Sequence, residues 1–191
     1  VSKIICPICG KPTATASVPE IYHYKESGLP NVYLHGGVTE TTCESCGEGA
    51  IRIEREGQLL QVITTAILMS DSAGMTGAEM RFVRGACRMS QAKLAESLGI
   101  QRRETIAERE GKDDPGISFA EQIGLRVLLT KSFLDFLDVP GNRLLTMGQH
   151  EELREFYRNF SKFSEHVSKE AATIQFNAIL EEDEWKFDKA A

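Results

Sequence analysis

Four of the five cysteines fall into two pairs, Cys6-Pro-Ile-Cys9 and Cys43-Glu-Ser-Cys46, and each second cysteine is followed by glycine. Two residues between thiols let both sulfurs reach one ion, and Gly10 and Gly47 permit the turn that aims backbone N–H groups at the sulfurs. The pairs stand 33 residues apart, so Cys6, Cys9, Cys43 and Cys46 are the expected ligands of one structural Zn2+. Disulfides are the competing use, but they suit small secreted chains, and a redox CxxC needs only one pair. Four thiolates also close the tetrahedron, leaving no position for substrate or water. The zinc deaminase order, H-x-E followed by P-C-x-x-C, is missing. Ile5 and Thr42 precede the pairs, and the one H-x-E, at His150, lies downstream of both. His23 and His35, in the segment between the pairs, are alternative ligands, with ordinary exposed histidines as the simpler account. The expectation is a metal staple and a chain that is not an enzyme.

The elements that must hold these sulfurs are short. Residues 21–24 and 32–34 are rich in β-formers and are punctuated by Gly28, Gly36 and Gly37, which predicts strands. So small a segment buries little apolar surface, and the metal is expected to supply much of its folding free energy. Residues 51–56 (IRIERE) alternate like a half-buried strand. Leu59, Leu60, Val62, Ile63, Ala66, Ile67 and Leu68 then predict an amphipathic connector helix. The small polar run at 70–74 (SDSAG) is the expected hinge, with a single fused domain as the alternative.

Positive charge gathers at residues 76–112, with 8 Lys/Arg against 5 Asp/Glu, whereas residues 1–75 carry net −3 and residues 113–191 net −6. Thr76 and Glu79 can form a capping box, and Met80, Val83 and Cys87 recur on one helical face. Cys87, the fifth cysteine, reads as a small buried hydrophobe. Ser90 can cap a second helix carrying Ala92, Leu94, Ala95 and Leu98, Gly99 supplies a tight turn, and Gln101, Arg102 and Arg103 lead a third helix. A helix, a glycine turn and a helix with a polar, basic first turn make a helix-turn-helix pattern. In that arrangement Gln101, Arg102, Arg103 and Thr105 face base edges, while Ser90, Gln91 and Lys93 contact phosphates, with Arg109 and Lys112 as further backbone contacts. An ordinary three-helix bundle with solvated arginines is the plain alternative.

Beyond the Asp113–Gly116 turn, Ser118 can start a helix running to about residue 138, stopped by Pro140 and Gly141. Leu153, Phe156, Tyr157, Phe160, Phe163 and Val167 predict another long helix, continuing through Ile174 to Leu180 and serving as core or as a dimer contact. The acidic tail around Trp185 and Phe187 is expected to be flexible. A net charge of −6 argues against a protein that coats nucleic acid everywhere and focuses such contact on the central stretch. No signal-peptide core or membrane-length apolar run is present, so a cytoplasmic protein is expected.

The knuckles CPICG and CESCGE, the spacer ESGLPNVYLHGGV, and the downstream TGAEMRFVR and SQAKLA together resemble the MqsA-type antitoxins, a YgiT-type zinc finger joined to an Xre-type helix-turn-helix. The resemblance runs over about the first two-thirds of the chain. It implies a homodimeric repressor that binds a double-stranded DNA operator, with a zinc domain that engages a basic toxin. It also brings a departure, because Arg109 stands where the family places an aromatic residue near the end of the third helix, which leaves that helix's register open by one position. The reading is an α+β chain in three parts. A zinc-binding, β-rich domain with its connector helix spans 1–70, an all-α helix-turn-helix domain spans 75–138, and a helical extension with an acidic tail spans 139–191. The alternative function is a protein-interaction module that neutralises a toxin with little or no DNA binding.

Overall fold

A computed structural model describes residues 4–12, 14–70, 74–160 and 175–188. The fold is α+β. Five strands come first: β1 (Ala14–Ser17), β2 (Ile21–His23), β3 (Val32–His35), β4 (Val38–Cys43) and β5 (Gly49–Ile53). Among the described residues the α-helices that follow are α1 (Glu56–Leu68), α2 (Gly77–Ala86), α3 (Gln91–Ser97), α4 (Arg103–Glu110), α5 (Phe119–Leu137) and α6 (Met147–Arg158). Two further strands, β6 (Phe176–Glu181) and β7 (Glu184–Asp188), close the described chain.

The strands form two sheets. One is antiparallel in the order β1-β4-β5, and the other runs β2-β3-β6-β7. Both strands expected between the cysteine pairs are present as β2 and β3, with Tyr22 opposite Leu34. The alternating run at 51–56 is a strand only as far as Ile53, because Arg55 adopts a left-handed φ of 47° and caps α1.

The connector helix is more deeply placed than its amphipathic pattern predicts. Gln58, Leu59, Gln61, Val62, Ile63, Thr64, Ile67 and Leu68 of α1 are all buried, since α2, α5, β6 and β7 pack around it. Its polar residues are therefore bonded. Gln61 accepts from the Leu144 and Leu145 N–H groups and donates to the Asn142 carbonyl at 2.6 Å. Arg126 of α5, fully buried, donates through Nη1 to the carbonyls of Ile67, Leu68 and Ser70 at the end of α1. A cation at a helix C-terminus is favoured by the helix dipole and by carbonyls that lack intrahelical partners. Residues 71–73 of the expected hinge lie outside the described residues.

Local signals set most helix starts. Thr76 with Glu79, Ser118 with Glu121 and Thr146 with Gln149 each form a capping box. Ser90 caps α3 through the Lys93 N–H. Met80, Val83, Leu94, Ile106, Leu125 and Leu129 share one hydrophobic cluster with Leu59, Ile63, Val32 and Trp185, so helices and sheet bury a common core.

The carboxy-terminal third departs from expectation. Of the helical pattern from Leu153, α6 runs to Arg158 and Phe160 is again helical, while Phe163, Val167 and Ile174 lie outside the described residues. Leu180 is in strand β6, not in a helix, and the expected flexible tail, as far as Asp188, forms the turn and the β7 strand of a β6–β7 hairpin. The β6 strand adds in parallel to β3, pairing Val32 with Phe176 and Leu34 with Ala178. The reason is a period-two pattern: Phe176 and Ala178, and then Trp185 and Phe187, alternate with their neighbours and face the core. Trp185 is fully buried and donates its indole N–H to the Glu54 carbonyl at 2.7 Å. Gly37 is the position that admits it. Its φ is +64°, and a Cβ there would lie 2.8 Å from the Trp185 ring.

Candidate metal centre and nucleic-acid interface

The thiol cluster is assembled by strand register. Ile4 bridges Ala14, and Ala14 pairs with Cys43 across β1 and β4, which sets the first knuckle beside the second. Each knuckle turns tightly: the Gly10 N–H donates to the Cys6 carbonyl and the Gly47 N–H to the Cys43 carbonyl, both at 2.9 Å. Gly10 and Gly47 have φ of 73° and 71°, the left-handed region that glycine occupies without strain.

All four Sγ atoms lie within 4.8 Å of one another, and no cysteine is in a disulfide. Cys6 Sγ is 3.9 Å from Cys46 Sγ, and Cys9 Sγ is 3.6 Å from Cys43 Sγ. Sulfurs about 2.3 Å from a tetrahedral ion sit about 3.8 Å apart, so the donor set fits one metal ion. The N–H groups of Ile8 and Cys9 point at Cys6 Sγ, each at 3.4 Å. The Cys9 amide is the main cause that holds the Cys6 thiol below its ordinary pKa, as a metal-ligating thiolate requires. Cys46 also receives a backbone hydrogen bond, at Glu48, but local loss of hydration and the neighbouring Cys43, Cys9 and Cys6 push it up to about 12. Four crowded sulfurs cannot all ionise without a cation among them, which a bound metal supplies.

Cys6 and Cys43 are buried and share a small cluster with Ala14 alone, while Cys9 and Cys46 are exposed. Three side chains cannot hold a sheet edge together by apolar burial. His23 and His35 are not in the cluster. His23 bonds the Pro30 carbonyl and stacks on Tyr33, and His35 faces Asn177 of β6.

The central helices place the other candidate residues in two groups. Gln101, Arg102 and Arg103 are exposed at the start of α4, and Thr105 is half-buried behind them. Arg102 is the N-cap and makes no ion pair among the described residues, whereas Arg103 bonds Glu104 at 3.1 Å. Ser90 and Lys93 are exposed at the start of α3, with Lys93 paired to Glu96 at 3.0 Å. Gln91 turns inward instead, donating its amide to Glu110 at 2.8 Å. Arg109 reaches Glu121 of α5 at 3.6 Å and is largely covered. Cys87 is packed in, donates to the Leu129 carbonyl, and burial pushes its thiol up to about 12.

One residue that governs this region was given no structural role from the sequence. Glu110 is buried at the end of α4 and accepts from both Arg84 and Gln91. A glutamate in a charged helix gives no sign of burial by itself. The signal available was Arg84 on the same face as Met80 and Val83, a cation that needed a partner.

No helix among the described residues is long and apolar enough to cross a membrane. Comparison of the chain with family models, with curated proteins and with solved structures returns no match in any of the three.

Proposed function

We propose that the chain is a zinc-stapled transcriptional regulator that binds operator DNA as a homodimer through a helix-turn-helix formed by α3 and α4. The observation that carries this reading is the exposed Gln101-Arg102-Arg103 run at the start of α4. It follows a turn at Gly99 whose φ is +68°, on helices anchored by buried Leu94, Ala95 and Ile106. An arginine there can donate two parallel hydrogen bonds to guanine, and a glutamine can pair with adenine. Ser90 and Lys93 supply phosphate contacts beside it, while Gln91 serves the fold. The metal is zinc, since four thiolates in a closed tetrahedron match its structural sites. The likeness of the knuckles, spacer and SQAKLA segment to the MqsA-type antitoxins supports repression of the chain's own operon.

The test is a gel shift against DNA upstream of the chain's own coding sequence. Binding is expected to fall steeply as salt rises, and to be lost in the Arg102→Ala/Arg103→Ala double variant with the fold intact. Specific binding retained by that variant would overturn the placement of the reading helix.

One observation favours a second reading, a module that neutralises a toxin. Ile5 and Ile8 on the first knuckle are 71% and 56% exposed, an apolar tip suited to protein contact. Co-purification with the product of the neighbouring reading frame, lost on Ile5→Asp/Ile8→Asp, tests it.

A further inference from the structure

The turn between α2 and α3 holds an arginine where the backbone favours glycine. Arg88 has a φ of +52°. Its N–H donates to the Gly85 carbonyl at 2.9 Å, and the Met89 N–H donates to the Arg84 carbonyl at 3.0 Å. These are the two bonds of a Schellman ending, whose left-handed position is usually filled by glycine. The turn is held in this conformation, because Arg84 binds the Met89 carbonyl through one nitrogen and buried Glu110 through two others.

Other non-glycine residues with positive φ have local reasons for it. Glu182 and Asp183 make the two-residue turn of the β6–β7 hairpin, where a left-handed pair is the favoured geometry, and Arg55, which caps α1, reaches Asp183 at 3.8 Å. The Arg88 side chain makes no hydrogen bond or ion pair among the described residues. Its guanidinium lies over the half-buried Phe136 ring of α5, 5.3 Å from the centroid, and the residue as a whole is exposed. A ring face attracts the cation and limits its swing, while the N–H groups at the guanidinium edge stay unspent. Ser90 is two residues on, at most about 7 Å along the chain, so Arg88 stands beside the exposed Ser90 and Lys93 at the start of α3.

We propose that Arg88 binds a phosphate of the DNA backbone beside the base-reading helix, and that Phe136 positions it to do so. The assignment rests on the DNA-binding reading above and adds a residue to it. A planar guanidinium matches two oxygens of one phosphate, and a turn already fixed by Arg84 lowers the cost of ordering on binding. A phosphate carries no base identity, so the contact adds affinity for any duplex.

The test titrates the full chain with two duplexes of equal length, the DNA upstream of its coding sequence and a shuffled sequence, at several salt concentrations. Arg88→Gly is expected to weaken both by a similar factor, about tenfold, and to make log affinity fall less steeply with log salt, by about one in slope. Its thermal midpoint is expected to stay at or above that of the unaltered chain, because glycine takes this φ without strain. Arg88→Asn, uncharged and tolerant of the same backbone, is expected to repeat the loss, and Arg88→Lys to restore the slope. Phe136→Leu is expected to keep the slope and weaken binding about threefold. Unchanged affinity and slope in Arg88→Gly and Arg88→Asn would overturn the assignment, as would a loss confined to the upstream duplex. A lowered midpoint with unchanged binding would overturn it too, marking a purely structural arginine. An unaltered chain that binds neither duplex would overturn the DNA-binding reading and this assignment together, whereas intact binding in the Arg88 variants removes this assignment alone.

Discussion

Arg84 of α2 and Glu110 of α4 form a two-point ion pair, Nε to Oε1 at 2.5 Å and Nη2 to Oε2 at 3.0 Å, with the Glu110 side chain only 1% exposed. The remaining Arg84 nitrogen donates to the Met89 carbonyl, and Gln91 donates to the same carboxylate. One buried glutamate thereby fixes the end of α2, the start of α3 and the end of α4 together. Because the charge is buried, removing one partner leaves the other uncompensated. Glu110→Ala is expected to cost about 3 kcal/mol or more in urea unfolding. The Arg84→Met/Glu110→Leu double variant is expected to cost clearly less than the two single changes added together. Full additivity in that cycle would show that the pair does not couple the helices.

Trp185 carries a second expectation. Its ring fills space above Gly37, and its indole and backbone N–H groups reach Glu54 and Gln58. Trp185→Ala is expected to lose about 3–5 kcal/mol, the usual scale for deleting a buried tryptophan. Gly37→Ala is expected to destabilise as well, because the new Cβ meets both a left-handed backbone and the ring. Thermal unfolding followed in the near-ultraviolet reads both. A small loss in either variant would mean that the hairpin is not part of the core.

These two sites mark what the sequence could and could not disclose. The cysteine pairs were legible because ligand spacing is a local property, and the capping box at Thr76 and the helix start at Ser118 for the same reason. The β6 strand was misread because an apolar run supports helix and strand alike, and the deciding fact, parallel pairing of Phe176 with Val32, spans more than half the chain. The burial of α1 was understated because Gln58 and Gln61 look solvent-facing until their partners at 142–145 and 185 are in place, and Thr64 satisfies its hydroxyl on the Leu60 carbonyl of its own helix. Gln91 reads as a surface amide for the same cause, its acceptor being Glu110 nineteen residues on.

Metal removal should act unevenly. The knuckle end of the β1-β4-β5 sheet leans on a cluster of Cys6, Ala14 and Cys43, whereas its far end, through Val38 and Ile53, joins the large core that α2 to α5 share. One equivalent of zinc per chain is expected by elemental analysis. Chelation is expected to raise hydrogen exchange at Thr41–Cys43 and Ala14–Ala16 while amides around Leu94, Ile106 and Leu129 stay protected. Cys43→Ser should reproduce the pattern without chelator. Uniform loss of protection across both regions would show that the metal supports the whole fold.

The pH dependence of stability should carry a contribution from His150, which is buried on α6 between Arg143, 3.5 Å from Nδ1, and Arg154, 3.4 Å from Nε2. Asp138 lies 3.5 Å from Nε2 and favours the charged ring, but burial first and Arg154 next hold its pKa below the ordinary 6.5. The folded form therefore takes up this proton less readily than the unfolded chain. As pH falls below about 6.5 the unfolded chain binds it first, so stability drops until the folded histidine titrates too. Above that window the contribution is fully present. Urea unfolding between neutral and mildly acidic pH should show a loss that His150→Gln reduces, with His23, His35 and His166 common to both proteins and cancelling in the difference. Equal slopes in the two proteins, or a His150 ring titrating above its ordinary value by nuclear magnetic resonance, would mean that Asp138 outweighs burial and the arginines.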